Sequence, residues 1–295
     1  MAREGRYADG YWWSADGVRL HYRDYPGHDA ALPPILCLPG LTRNARDFEG
    51  VAEALSPEWR VIAVDLRGRG DSGWAKDPMS YVPLTYLQDI GALLDELAIT
   101  RVVLFGTSLG GLLSMLLSAT RPGQVAGVLL NDVGPVLEAD GLARIRTYVG
   151  RGGSWPTWLH AARALAESQR ASYPDYALED WLRLAKRLCR LTPAGRVVFD
   201  YDMKIAEPFR TPAAEGAGFD LWPAFETLAA VPGLLLRGVL SDILSAATAA
   251  EMVRRAPAME RVDVANVGHA PTLDEPDARA GIARLLARVA GATPA

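Results

Sequence analysis

The chain has 295 residues and a formal net charge of −4, with 31 Lys and Arg against 35 Asp and Glu. That length suits one large domain, or one domain carrying an insertion, with a sizeable buried core. The charge leaves no basic excess to neutralise phosphates, which argues against nucleic acid and for a small, neutral or mildly polar substrate. Cys37 and Cys189 are far apart, with no His or Cys at ligand spacing, so they read as buried thiols and give neither a disulfide framework nor a metal site.

The opening stretch MAREGRYADGYWW has charges but no apolar run before a small-residue cleavage site, so a cytoplasmic protein is expected. Asp16-Gly17 between two aromatic-rich runs predicts a β-hairpin. PPILCLPG reads as a buried strand ending at Gly40, and Phe48, Val51, Ala52 and Leu55 then recur with the period of an amphipathic helix. RVIAVDLRGRGDSG is a second buried strand running into a Gly-rich loop. That loop lacks the Lys-Ser/Thr of a phosphate-binding loop and reads as a tight turn.

Residues 86–97 are helical in period, and 102–105 form the next strand. The uncharged stretch 102–119 approaches the length of a membrane span, but Gly106, Thr107, Ser108, Gly110 and Gly111 interrupt it, and a strand followed by a buried helix accounts for it. GVLLND reads as the strand after that helix. From 133 to 223 the sequence shows no buried strand; 140–149, 157–169 and 176–189 read as helices, the third with Leu178, Trp181, Leu182, Ala185 and Leu188 as an apolar stripe. Trp155, Trp158, Trp181 and Trp222 fall in this region and suggest an aromatic wall. GLLLRGVLSD and RVDVANVGH resume the strands, and a last helix carries Ile282, Leu285, Leu286 and Val289. The alternation predicts a mostly parallel sheet with helices on both faces, formed by 1–132 and 224–295, with 133–223 inserted as a helical cap.

Gly106-Thr107-Ser108-Leu109-Gly110 is G-x-S-x-G between a strand and a helix, the context of a nucleophile elbow. The turn forces strained dihedrals on Ser108, and side chains two positions away on either side would collide. A serine hydroxyl needs a base. Of the four histidines, His21 and His28 lie near the hairpin and His160 in the cap, whereas His269 follows a strand at the rim that holds Ser108. Asp242, at the end of GLLLRGVLSD, is expected to be the third member on the chain order Ser, Asp, His; Asp132, at the end of GVLLND, is its rival. The oxyanion donors are expected to be the backbone N–H groups of Leu109 and Leu41. Arg43 and Asn44 either line the pocket or, for Asn44, cap the following helix; the residues leave this open.

With LPG before Leu41, DLRGRGDSG, GTSLGG around Ser108, LSD ending at Asp242, and GHAP at His269, the chain resembles the α/β-hydrolase fold superfamily over nearly its whole length. The resemblance implies an eight-stranded, mostly parallel sheet, a helical cap after the sixth strand, and no cofactor. One departure is Pro39-Gly40, where many members have His-Gly. Ser108 stands where members that open epoxides or displace halide carry Asp. Thr107 and LPGLTRN do not match the members that cleave carbon–carbon bonds. The expected activity is hydrolysis of small, mostly uncharged carboxylic esters or lactones through an acyl-serine, with few anion clamps in the cap. The rivals are a ligand receptor of the same fold with little turnover and a carbon–carbon bond hydrolase.

Overall fold

The structure, a computed structural model, describes residues 6–210 and 220–292. The N-terminal residues 1–5 and residues 211–219 of the expected cap lie outside the described residues. Strands β1 (Ala8–Trp13) and β2 (Arg19–Tyr25) form the expected antiparallel hairpin, with Gly17 at φ +79° in its turn. There follow β3 (Ile35–Leu38), α1 (Glu49–Leu55), β4 (Val61–Asp65), α2 (Pro83–Glu96), β5 (Val102–Thr107), α3 (Leu109–Thr120) and β6 (Val125–Asn131).

The inserted region contains α4 (Ala139–Tyr148), β7 (Ser154–Trp155), α5 (Trp158–Gln169), α6 (Leu178–Leu188), β8 (Cys189–Leu191) and β9 (Val197–Phe199). The chain ends with α7 (Trp222–Glu226), β10 (Gly233–Gly238), α8 (Ala246–Arg255), β11 (Met259–Val264) and α9 (Pro276–Gly291).

Eight strands form one sheet in the order β1-β2-β4-β3-β5-β6-β10-β11. Only the pairings of β2 with β1 and with β4 are antiparallel. β3, β4, β6 and β10 are buried at every residue. This explains their unbroken apolar runs: a parallel strand covered on both faces has no side that water selects to be polar.

Alternate residues face opposite layers. Leu36, Leu38, Ile62, Val64, Leu104 and Leu130 pack with Leu113, Met115 and Leu117 of α3. Ile35, Cys37, Ala63, Val103 and Phe105 pack with Ile282, Leu285 and Val289 of α9. Burying each such aliphatic side chain contributes roughly 1.5–3 kcal/mol before chain entropy is subtracted. Among the described residues no helix is long and apolar enough to cross a membrane.

The inserted region differs from its reading in two ways. β7, β9 and β8 form a small antiparallel sheet of two- and three-residue strands. Strands so short leave no alternating run in the sequence. On α6 the buried stripe is Trp181, Leu184, Ala185 and Leu188, while Leu178 is exposed.

Candidate active site

Ser108 occupies the turn between β5 and α3 at φ +52°, ψ −115°. A non-glycine residue held there costs on the order of 1–3 kcal/mol of backbone strain. The glycines around it are required by space. A Cβ at Gly106 would sit 2.4 Å from the Gly110 carbonyl oxygen, and one at Gly110 would sit 1.9 Å from the Leu38 carbonyl oxygen. Either would push α3 away from β3 and β5. The turn is fastened from the side by the Ser108 N–H, which donates to Asn131 O at 3.0 Å.

His269 lies beyond β11, with Nε2 2.8 Å from Ser108 Oγ and Nδ1 2.7 Å from Asp132 Oδ2. A carboxylate only accepts, so Nδ1 carries the proton and Nε2 is left to accept from the serine hydroxyl. Asp132 directly follows β6 at φ +56° and is fully buried. Its carboxylate also accepts from the Gly238 N–H at 2.9 Å and the Ser241 hydroxyl at 2.6 Å. These bonds fix its orientation and offset its desolvation. The loop bearing His269 is clamped from above and below. Gly268 N–H donates to Ser172 O, Tyr173 Oη donates to Ala270 O, and Asn131 Nδ2 donates to Pro271 O. Burial pushes the Tyr173 hydroxyl up to about 12, so it keeps the proton it donates.

The residue touching His269 is therefore Asp132, and the expected role of Asp242 is corrected. β10 ends at Gly238, where a Cβ would meet Gly268 O at 2.4 Å, and the chain turns at once. Ser241 lands against Asp132, and Asp242 is carried past the site to Arg144 of α4, with Arg144 Nη2 2.7 Å from Asp242 Oδ1 and Nε on the other oxygen. The Arg144 guanidinium holds the Asp242 carboxyl below the usual carboxylate range.

Two backbone N–H groups in the segments adjoining the turn are left without an acceptor among the described residues. As the first residue of α3, Leu109 has no acceptor within its helix. The Leu41 N–H likewise donates to no protein group among the described residues. Beneath Leu41 is a residue that the sequence reading passed over. Arg69, fully buried in the loop after β4, donates from Nε to Leu41 O at 2.9 Å and from Nη1 to Arg67 O and Tyr86 Oη. Nothing in the sequence separates it from Arg67; only in the structure is Arg69 without a carboxylate among the described residues. Arg67 is clamped by Asp89 and Asp16.

Asn44 caps the short turn Ala45–Phe48 by accepting from the Arg46 N–H, and its Nδ2 donates to Arg187 O; it does not line the pocket. His21 is buried between Asp65 and Asp9, with both ring nitrogens engaged. Burial disfavours its charged form, but the two carboxylates outweigh this and raise its pKa. His28 is exposed, and His160 meets only Thr157.

A cavity of about 380 Å³ opens above Ser108 and His269. Of the four tryptophans expected in its wall only Trp155 lines it, joined by Tyr148, Tyr173, Phe199 and Tyr201. Trp181 packs inside the inserted region against Tyr173 and Tyr176, and Trp222 lies under Arg255. The wall also differs from the expectation of few anion clamps. Arg43, Arg144, Arg151 and Arg187 all line it, against one carboxylate, Asp47.

Residues 35–282 match the sequence profile of the alpha/beta hydrolase family. The chain is 38% identical over 265 residues to the 3-hydroxybutyrate-oligomer hydrolase of Cupriavidus necator, covering 88% of this chain and 89% of that protein. It is 29% identical over 237 residues to the 2-(acetamidomethylene)succinate hydrolase of Mesorhizobium japonicum, covering 80% and 81%. The crystal structure of an alpha/beta hydrolase from Novosphingobium aromaticivorans, 57% identical, superposes with a TM-score of 0.93 over 96% of this chain and 99% of that one.

Proposed function

We propose that this chain, which belongs to the alpha/beta hydrolase family, is a carboxylic ester hydrolase working through an acyl-serine on Ser108. The observation that carries the reading is the unbroken line from Ser108 Oγ through both ring nitrogens of His269 to Asp132, set under an open cavity. His269 Nε2 takes the serine proton as Oγ attacks the ester carbonyl. The imidazolium so formed is stabilised by the buried Asp132 carboxylate. Negative charge on the carbonyl oxygen is met by the Leu109 and Leu41 amides, each such donor being worth roughly 2.7–4 kcal/mol in the transition state. His269 then returns its proton to the departing alcohol, and water activated by the same ring releases the acid.

Hydroxy acids oligomerise through ester links, so the likeness to a 3-hydroxybutyrate-oligomer hydrolase supports ester cleavage. A lactone presents the same carbonyl and suits the same machinery. The inserted region 133–223 acts, in this reading, as a cap whose side chains select the substrate. The test is turnover of a p-nitrophenyl ester and labelling by a serine-directed phosphonate. Ser108→Ala is expected to lose at least ~10³-fold in kcat and all labelling while remaining folded. A folded Ser108→Ala protein that retains near wild-type turnover would overturn the assignment.

A further inference from the structure

We propose that the substrate carries a carboxylate in addition to its ester, and that Arg151 is the residue that meets it; this rests on the ester-hydrolase reading above. The four arginines lining the cavity are not equivalent. Arg43 is held by Asp47, with Nε 2.5 Å and Nη2 2.8 Å from the two carboxylate oxygens. Arg144 is held by both oxygens of Asp242, and Arg187 Nη2 lies 2.7 Å from Asp274 Oδ2. Each of these three cations has its compensating charge, and each guanidinium is committed to it.

Arg151 has no carboxylate within 4 Å among the described residues, although it lines the same cavity as Ser108 and His269. It lies just past α4, after Gly150 at φ +75°, and its own N–H donates to Tyr148 O at 3.0 Å. The turn is fixed in place: a Cβ at Gly150 would lie 2.4 Å from Ala206 Cβ, so the backbone packs directly on the neighbouring segment. Arg151 is exposed to solvent, and its guanidinium, free of any carboxylate among the described residues, stands on the cavity wall with Tyr148 and Trp155 on a braced backbone.

A planar guanidinium matches a carboxylate through two parallel hydrogen bonds, a match that an uncharged ester end cannot make. A neutral ester would leave this cation to solvent alone. An ester with a free carboxylate at its far end places one charge on Arg151 while its carbonyl reaches Ser108, and the aromatic side chains cover the chain between.

The test compares two acyl chains of equal carbon number, p-nitrophenyl hexanoate and mono-p-nitrophenyl adipate. Wild-type protein is expected to favour the adipate in kcat/KM, with the preference shrinking as salt is raised. In Arg151→Gln the ratio of adipate to hexanoate kcat/KM should fall on the order of tenfold, and in Arg151→Glu further. Arg151→Lys should retain part of the ratio, because it keeps the charge and loses the fork. An unchanged ratio in Arg151→Gln and Arg151→Glu, with both esters still hydrolysed through Ser108, overturns this inference and leaves the ester-hydrolase reading standing. Failure of the wild-type protein to hydrolyse either ester overturns both.

Discussion

The eight-stranded sheet and the segment lying over it share apolar clusters but differ in how much polar bonding fastens them. Along β3, β4, β6 and β10 every residue is buried, and two apolar layers grip the sheet from either side. The overlying segment joins those layers through Trp181, Leu184, Leu188, Tyr201 and Ile205, and polar groups fasten it further to the loops of the sheet. Arg46 pairs with Asp200, Tyr81 donates to Asp202, Asn44 donates to Arg187 O, and Asp202 N–H donates to Gly68 O. Ser108 sits in a turn that its neighbouring glycines fix, while Asp132 and the loop of His269 are held by several hydrogen bonds each. The cavity wall depends on individual charges and hydroxyls, each of which a single substitution removes. If the proposed function holds, reaction chemistry and substrate choice would rest largely on different residues.

The sharpest test of that separation is at the carboxylate. Asp132→Asn retains an acceptor for the Gly238 N–H but puts an amide donor against His269 Nδ1, favouring the wrong tautomer. We expect kcat to fall about 10²–10⁴-fold. Asp242→Asn disturbs only a partly exposed pair with Arg144 and should cost less than about tenfold. Steady-state kinetics on one neutral ester checks both, and the reverse ranking would move the acid to Asp242.

A second test asks whether the oxyanion loop is as rigid as the elbow. Arg69→Met removes the donor to Leu41 O while largely keeping the buried volume. The Leu41 amide should then be held less firmly, and kcat should fall roughly 10-fold with KM little changed. A loss confined to KM would show that Arg69 shapes the cavity instead.

The boundary between the two regions is crossed at Tyr173, which belongs to the inserted segment yet donates to Ala270 O beside His269. Tyr173→Phe leaves that carbonyl without its partner, at a cost of about 1 kcal/mol. A fall of roughly 5-fold in the acylation rate for small and large esters alike is expected in single-turnover measurements. If only large esters were affected, the cap would govern selection alone.

The smallest expected effect concerns the hairpin edge. The hydrogen bond from Arg67 lowers the Asp16 pKa from its ordinary 3.8 to about 2. A depressed carboxyl pKa contributes stability that is fully present above the unfolded value and is lost as pH falls through the folded one. Asp16 therefore stabilises the protein above about pH 4 and stops doing so between about pH 4 and 2. Asp16 is half exposed, so Asp16→Asn should flatten that part of a stability-against-pH curve only slightly.

The elbow was legible in the sequence because its requirement is a backbone one: strand, Gly-x-Ser-x-Gly and helix leave one geometry, and only glycine fits it. The sheet was legible for the same reason, since strands covered on both faces write apolar runs. The choice of acid was not. Asp132 and Asp242 both end a strand-like run and both satisfy the order Ser, Asp, His, so neither criterion separates them. What separates them is how sharply the chain turns after Gly238, which depends on the close approach of Gly268. The cavity arginines were hidden because a charged residue reads first as part of a solvated face. Only Arg144 and Arg187 lie on helices; Arg43 and Arg151 lie in loops, and no spacing in the sequence links the four.

The glycine contacts around Ser108 carry a consequence for how such a protein changes over generations. Substitution at Gly106 or Gly110 collides with backbone, whereas substitution at position 108 changes a side chain that meets His269 at the cavity and not the backbone packing, within the limits of its positive φ. Saturating mutagenesis scored by abundance should therefore show an intolerant pair flanking a permissive site, and scored by turnover it should show all three as intolerant. If Ser108 is the nucleophile, a scaffold arranged this way could change the side chain it presents without rebuilding the turn, so a new chemistry would be nearer in sequence than a new backbone.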